Sequence, residues 1–336
     1  MVRKVLAHGY DSIISVENLL GAWKEFKNGK RNKADVALFE RDLMNNIFEL
    51  HYELKEKQYR HSSYKAFKIS DPKPRDIHKS LVRDRLLHHA LYRQLYWFFD
   101  KKFVFDSYSC RIGKGAHKAT DRFREFGGVV SKNNTKTCWV LKCDIRKFFA
   151  SINHTILKNL LRKDIGDTNT RELLFIVIDS FSARQGLEGK VGLPLGNLTS
   201  QLLVNIYMNE FDQFVKHKLK QKFYIRYADD FVFLHEDKKY LECLVPLLTG
   251  FLGKNLKLSL HPDKVFIKTL TSGVDFLGWI TCPRHRVLRT STKKRMIRRL
   301  AETEKKDVLV SYCGMLSHGD TYKLKKQNNL IKDLVH

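Results

Sequence analysis

Residues 224 to 234 read Tyr-Ile-Arg-Tyr-Ala-Asp-Asp-Phe-Val-Phe-Leu, two apolar runs on either side of a pair of acids. Aromatic and β-branched residues around a short polar break spell a β-hairpin, with strands over 223–226 and 231–234 and a tight turn at Ala228-Asp229-Asp230. Two adjacent carboxylates in a turn also arise for ordinary reasons, because short acidic side chains satisfy their own backbone there. Taken alone, the hairpin does not specify a site.

A second stretch changes its meaning. Residues 138–153, Cys-Trp-Val-Leu-Lys-Cys-Asp-Ile-Arg-Lys-Phe-Phe-Ala-Ser-Ile-Asn, form a buried-looking strand that ends in the single carboxylate Asp144 and leads through an aromatic pair to a helix start near Asn153. An isolated acid at a strand end usually caps or solvates. Asp144 and Asp229 nevertheless share one context, each at the edge of an apolar strand. If the two strands are neighbours, Asp144, Asp229 and Asp230 converge, and carboxylates that close repel unless cations sit between them. Phosphoryl transfer by two Mg²⁺ ions about 3.5–4 Å apart requires such a cluster. Between the acids lies Val191-Gly-Leu-Pro-Leu-Gly-Asn-Leu-Thr-Ser-Gln201, followed by a helix through Phe211. Two glycines and a proline there are either punctuation or a loop that lets a nucleotide approach the backbone.

Composition narrows the partners. The 336 residues carry 62 Lys and Arg against 36 Asp and Glu, a net charge of +26, so the surface attracts polyanions: nucleic acid first, an anionic membrane second. Hydrophobic content of 43% with 12% aromatics supports a folded chain of two or three subdomains. Six scattered cysteines lack any Cys-x-x-Cys pair, and His-Glu-x-x-His and Gly-x-Ser-x-Gly are missing, which excludes the common zinc-ribbon, zinc-protease and esterase signatures. No apolar run approaches the ~18 residues of a membrane span and the first residues lack a secretory signal, so a soluble intracellular protein is expected.

Helical periodicity fills residues 12–60, with Leu19, Trp23 and Phe26, then Val36, Phe39, Leu43, Ile47, Leu50 and Leu54 at spacings of three and four. The lysines on its polar face suit a solvated surface as well as nucleic acid. Tyr64 to Ile69 alternates like a strand, a Pro-rich turn follows, Arg75 to His78 is extended, and a helix runs from about Leu81 to Phe99. The loop 105–119, with Arg111, Lys114 and two glycines, suits close approach to a phosphate without matching a P-loop. Residues 284–299 hold eight Lys or Arg in sixteen positions and lead into a helix.

Three of these stretches together resemble palm motifs A, B and C of reverse transcriptases: Lys-Cys-Asp144-Ile-x-x-Phe-Phe149, Leu-Pro-Leu-Gly-Asn-Leu-Thr-Ser-Gln and Tyr-Ala-Asp229-Asp230. Pro72-Lys-Pro-Arg75-Asp-Ile and Ser107-Tyr-Ser-Cys-Arg111-Ile-Gly-Lys114-Gly resemble the fingers blocks, Leu258 to Lys264 motif D, and Phe276-Leu277-Gly278-Trp279 the primer-grip hairpin. The resemblance implies an α+β right-hand polymerase fold: a helical extension and fingers over 1–135, an antiparallel palm sheet packed on helices over 136–283, with 155–190 completing the fingers and palm, and a short helical thumb over 284–336.

The resemblance further implies roles. Asp144 and Asp229 bridge two Mg²⁺ ions, for which Mn²⁺ can substitute, with Asp230 an outer ligand and the Ile145 carbonyl completing a shell. Phe149 sits under the incoming sugar and excludes a 2′-hydroxyl, so the product is DNA; one of the pair Phe148 and Phe149 belongs to the core. Arg75 with Lys68 or Lys73 binds the triphosphate, Leu195, Gly196 and Gln201 line the nucleotide site, and Lys264 protonates pyrophosphate. Arg111, Lys114, the 276–279 hairpin, Arg289, Lys293, Lys294 and Arg298 contact nucleic acid.

Leu195-Gly196 followed by Ser200-Gln201 departs from the usual Gln-Gly and Ser-Pro, and is similar to the reverse transcriptases of diversity-generating retroelements; Ser311 to Leu324 looks like that branch's short thumb. Leucine cannot supply the hydrogen bond a glutamine would, so errors, frequent at template adenines, are expected. Template RNA, a DNA or RNA primer, the cDNA product, dNTPs and a small accessory protein are the implied partners, without a membrane, for a cytoplasmic protein that is bacterial, archaeal or phage-encoded. Group II intron-like, retron and defence-associated enzymes share the palm motifs, and a catalytically silent nucleic-acid-binding protein would account for the charge alone.

Overall fold

The computed structural model describes residues 5–70, 74–186, 189–302, 306–322 and 324. Its chain forms two compact units, one from residues 1–105, 145–219 and 249–260, the other from 106–144, 220–248 and 261–336.

The first unit is mainly helical. Helix Val16–Phe26 packs against Val82–Asp100, which also packs against Leu198–Gln213. Leu19, Trp23 and Phe26 recur at helical spacing on one face and are buried, while the Ser15 hydroxyl caps the helix by accepting from the Asn18 amide. Two antiparallel ribbons complete the unit, Lys65–Ile69 with Arg75–Lys79 and Arg184–Gly186 with Gly189–Val191.

The second unit carries the expected antiparallel sheet. Its four strands lie in the order Tyr224–Tyr227, Asp230–His235, Trp139–Asp144, Phe266–Thr269. A three-stranded sheet, Arg286–Leu288, Trp279–Thr281, Val274–Phe276, belongs to the same unit. Side chains on one face of the four-stranded sheet, Val140, Val232 and Leu234, form a core with Phe123 and Phe126 of helix Ala116–Val130 and with Val274 and Phe276. Alternation along the strands puts Lys142, Asp144 and Asp230 on this same face, at the end where the apolar residues stop. A smaller core joins Trp279 and Leu288 to Met296, Cys313 and Leu316 from helices Thr290–Glu302 and Lys306–Leu316. Gly319 has no room for a side chain there, since a Cβ would run into the Trp279 ring.

The hairpin is tighter than its composition suggests. Asp230 is the first residue of its strand, paired with Tyr227 on one side and Asp144 on the other, so the turn is Ala228-Asp229 alone. Backbone pairing on both sides makes Asp230 part of the sheet.

Candidate active site

Asp144 and Asp230 are direct partners in the antiparallel register, so their carboxylates leave the same face of the sheet side by side. Asp229 precedes Asp230 in the turn. Two lysines meet the acids: Lys264 Nζ lies 2.9 Å from Asp144 Oδ1, and Lys142 Nζ lies 3.2 Å from Asp230 Oδ2. The other oxygen of Asp230 is buried without a hydrogen-bond partner. Burial, opposed by Lys142 and reinforced by the charges of Asp144 and Asp229, pushes the Asp230 carboxyl up to about 7.

These are hard oxygen donors with one acceptor site unused, the chemistry a Mg²⁺ ion selects. Among the described residues, however, no three ligating groups are gathered closely enough to hold a metal ion. Two ammonium groups supply cationic charge beside the acids, Lys142 at Asp230 and Lys264 at Asp144. Ile145 is buried, and the hydrogen bonds beside it use the Asp144 carbonyl and the Arg146 amide, not its own carbonyl.

The turn itself is held by a residue to which no motif above gives a role. Arg226 is fully buried; its Nη1 donates to the Ala228 carbonyl at 3.1 Å and its Nη2 to Ser107 Oγ at 3.1 Å. Its backbone pairs with Asp106 and Tyr108, so the loop 106–109 covers the edge of the strand Tyr224–Tyr227. Ala228 has φ +55°, a left-handed conformation that costs a non-glycine residue about 1–2 kcal/mol. The guanidinium bond to its carbonyl offsets that strain and fixes the turn that bears Asp229. A charged residue inside an apolar strand was the available signal, for Arg226 and for Lys142 alike.

In the first unit, Phe149 and Leu195 line one cavity of about 430 Å³ together with Ala66, Asp76 and Phe181. Phe149 is half-buried and Phe148 is core, so the aromatic pair divides as expected. Leu193 N donates to Phe149 O at 2.8 Å, and His78 N to Leu195 O at 3.3 Å, which fastens the 191–196 segment to both walls. Gly196 and Gln201 line a different cavity, of about 360 Å³, with Phe67, Ile77 and Lys79. The ribbon Lys65–Ile69/Arg75–Lys79 separates the two: Lys68 is paired with Asp76 and shares its face, while Arg75 falls on the face of Phe67 and Ile77. Both cations are exposed at the end of the ribbon where Ile69 pairs with Arg75, and Lys73 lies outside the described residues.

Among the expected nucleic-acid contacts, Phe276 and Trp279 are buried core side chains, so only the turn Leu277-Gly278 of that hairpin is open to an approaching strand. Arg289 is ion-paired with Asp275. Arg111 bonds the Ser107 carbonyl and Lys114 lies over the Tyr108 ring, which turns both back onto their own loop. Lys293, Lys294 and Arg298 are exposed on the helix Thr290–Glu302.

A family model described as reverse transcriptase (RNA-dependent DNA polymerase) matches residues 70–281. The chain is similar to Protein YkfC of Escherichia coli, 26% identical over 258 residues, covering 67% of this chain and 66% of that protein. It is also similar to the group II intron-encoded protein LtrA of Lactococcus lactis, 24% identical, covering 68% of this chain and 47% of LtrA. It thus spans less than two thirds of the length of both relatives. Among solved structures, telomerase from Candida albicans in complex with a fragment of telomeric RNA superposes with a TM-score of 0.50 at 12% identity, over 83% of this chain and 56% of that one, a likeness of fold.

Proposed function

The chain belongs to the reverse transcriptase (RNA-dependent DNA polymerase) family, and we propose that it is an RNA-directed DNA polymerase that extends a DNA or RNA primer on a template RNA. The observation that carries this is the side-by-side placement of Asp144 and Asp230 next to the Asp229 turn. The fold, mixed helix and antiparallel sheet of the right-hand polymerase type, supports it.

Asp144, Asp229 and Asp230, with the Ile145 carbonyl, are the residues that would hold two Mg²⁺ ions, or Mn²⁺, which when bound lower the pKa of an attacking hydroxyl and stabilise the leaving oxygen. Lys264, bonded to Asp144 on a short 3₁₀ turn, is an ammonium beside the acids and the candidate proton donor to pyrophosphate. Phe149 and Leu195 form the sugar and base side of a dNTP site, with Lys68 on the adjoining ribbon face as the nearer triphosphate ligand and Arg75 across from it. In this assignment 1–135 are extension and fingers, 136–283 palm and 284–336 thumb.

Primer extension on an RNA template with Mg²⁺ and dNTPs tests the proposal. Asp144→Asn and Asp229→Asn are each expected to slow extension by at least about a thousandfold, about 4 kcal/mol of lost transition-state stabilisation. A variant that still makes cDNA at the wild-type rate removes the acids from the chemistry.

Leu195 and the Ser200-Gln201 pair favour the narrower proposal of a diversity-generating retroelement enzyme in the cytoplasm, with a small accessory protein helping to bind the template. Among the described residues no helix is long and apolar enough to cross a membrane. The similarity to LtrA favours a group II intron-like role instead. Sequencing the cDNA separates them: errors concentrated opposite template adenine support the first and uniform errors the second.

A further inference from the structure

Lys142 does more than face Asp230. Its Nζ donates to two oxygens at once, lying 3.2 Å from Asp230 Oδ2 and 3.0 Å from the backbone carbonyl of Asp275. An ammonium carries three donors on one atom and can join a carboxylate to a carbonyl without choosing between them. The side chain is 11% exposed, so both contacts are poorly screened by solvent.

Asp275 is the middle residue of the strand Val274–Phe276, immediately before the turn Leu277-Gly278. Its carboxylate accepts from Arg289 Nη2 at 2.5 Å, and the Arg289 amide donates to the Gly278 carbonyl at 3.0 Å. The contacts therefore run without a gap from Asp230 through Lys142, Asp275 and Arg289 to Gly278. Both turn residues are left-handed, Leu277 at φ +53° and Gly278 at +89°, as a tight two-residue hairpin requires. A stiff turn follows the strand beneath it, and that strand is tied to a catalytic acid.

We propose that Lys142 is a positioning residue that registers the Leu277-Gly278 turn against the acids, and so sets where a primer terminus meets them. The role in primer placement rests on the polymerase assignment above; the mechanical link does not. Val274 and Phe276 share a core with Val140 and Val232, and that hydrophobic burial is non-directional. The Lys142 bonds add the direction that packing lacks.

The test compares wild type, Lys142→Met, which keeps the length and removes charge and donors, and Lys142→Arg. Amide hydrogen exchange is followed across 274–281 in metal-free protein, beside single-turnover primer extension and primer–template binding. Lys142→Met is expected to speed exchange in 274–281 by about tenfold or more while 16–26 stays unchanged. Its extension rate is expected to fall by about tenfold or more with the Kd for primer–template within about twofold, and Lys142→Arg recovers most of both losses. Exchange equal to wild type in Lys142→Met overturns the link, and so does slow extension with undisturbed exchange, which would confine Lys142 to the acids. If Lys142→Met does not fold, Arg289→Gln cuts the same chain at its far end and is expected to speed exchange and slow extension likewise; wild-type behaviour there overturns the proposal. A wild-type chain that extends no primer defeats the polymerase assignment, while exchange still decides the link.

Discussion

Phe148 and Phe149 are neighbours in sequence with opposite fates, one ring buried and the other half-exposed in the 430 Å³ cavity, 5.6 Å apart and nearly perpendicular. In the dNTP site proposed above this ring would leave a sugar no space for a 2′-hydroxyl, so Phe149→Val is expected to raise incorporation of ribonucleotides relative to deoxyribonucleotides by about tenfold or more. Competition between rNTP and dNTP on one template measures it, and an unaltered ratio would remove Phe149 from sugar selection. Leu195 lines the same cavity with a side chain that offers no hydrogen bond. Leu195→Gln should lower the error frequency by several-fold, most at template adenine. An unchanged error spectrum in sequenced cDNA detaches Leu195 from fidelity.

Helix Leu198–Gln213 starts at Asn197, whose side chain makes no capping bond to the helix. Its first turn is instead tied down from the side. Thr199 Oγ1 lies 2.7 Å from His88 Nδ1, His88 Nε2 lies 3.0 Å from His61 Nε2, and Asn197 Nδ2 donates to the Tyr64 hydroxyl at 3.2 Å. The His61 Nδ1 lies 2.7 Å from the Ser62 carbonyl and must carry the proton there, which leaves His61 Nε2 to accept from His88 Nε2. Burial, with His61 and His89 beside it, pushes His88 down to about 3. The unfolded chain takes up this proton near pH 6.5 while the folded chain refuses it down to about pH 3, so stability present above that window is lost as pH falls through it. One such histidine contributes about 2 kcal/mol of loss by pH 5. Denaturant midpoints at pH 7 and pH 5 should separate for wild type and lie closer together for His88→Gln; equal separations would place the acid sensitivity elsewhere.

Across the whole molecule the +26 charge is spread unevenly in purpose. Several cations are committed to internal partners: Arg226 to the turn, Arg289 to Asp275, and Arg286, which is buried, to Thr120 and Asp121. Lys293, Lys294 and Arg298 stay exposed on one helix, Arg298 only in a solvent-exposed pair with Glu302 at 3.8 Å that a phosphate can displace. Neutralising all three should flatten the dependence of duplex binding on salt by about two to three in log–log slope, about 0.9 for each phosphate that the helix no longer neutralises. Unchanged slope and affinity would show that this helix does not track the duplex.

Much of the site was legible in the order of residues alone, because its acids are announced by local patterns. Aromatic and β-branched apolar runs around Asp144 and around Asp229-Asp230 specify strands, and strands of a single sheet have few ways to pair. Which carboxylate faces which was not legible: register depends on long-range backbone pairing, and it is this pairing that draws Asp230 into the strand opposite Asp144 and leaves Asp229 in the turn. The same holds for burial, which made core of Phe276 and Trp279 and linked Arg226 to Ser107, 119 positions away. The sequence by itself determined the kinds of groups, their order along the chain and the family. Only the tertiary structure decided which charges cancel one another, since a lysine two residues from Asp144 reads as solvent-facing until a neighbouring strand brings Asp230 and the Asp275 carbonyl to its tip.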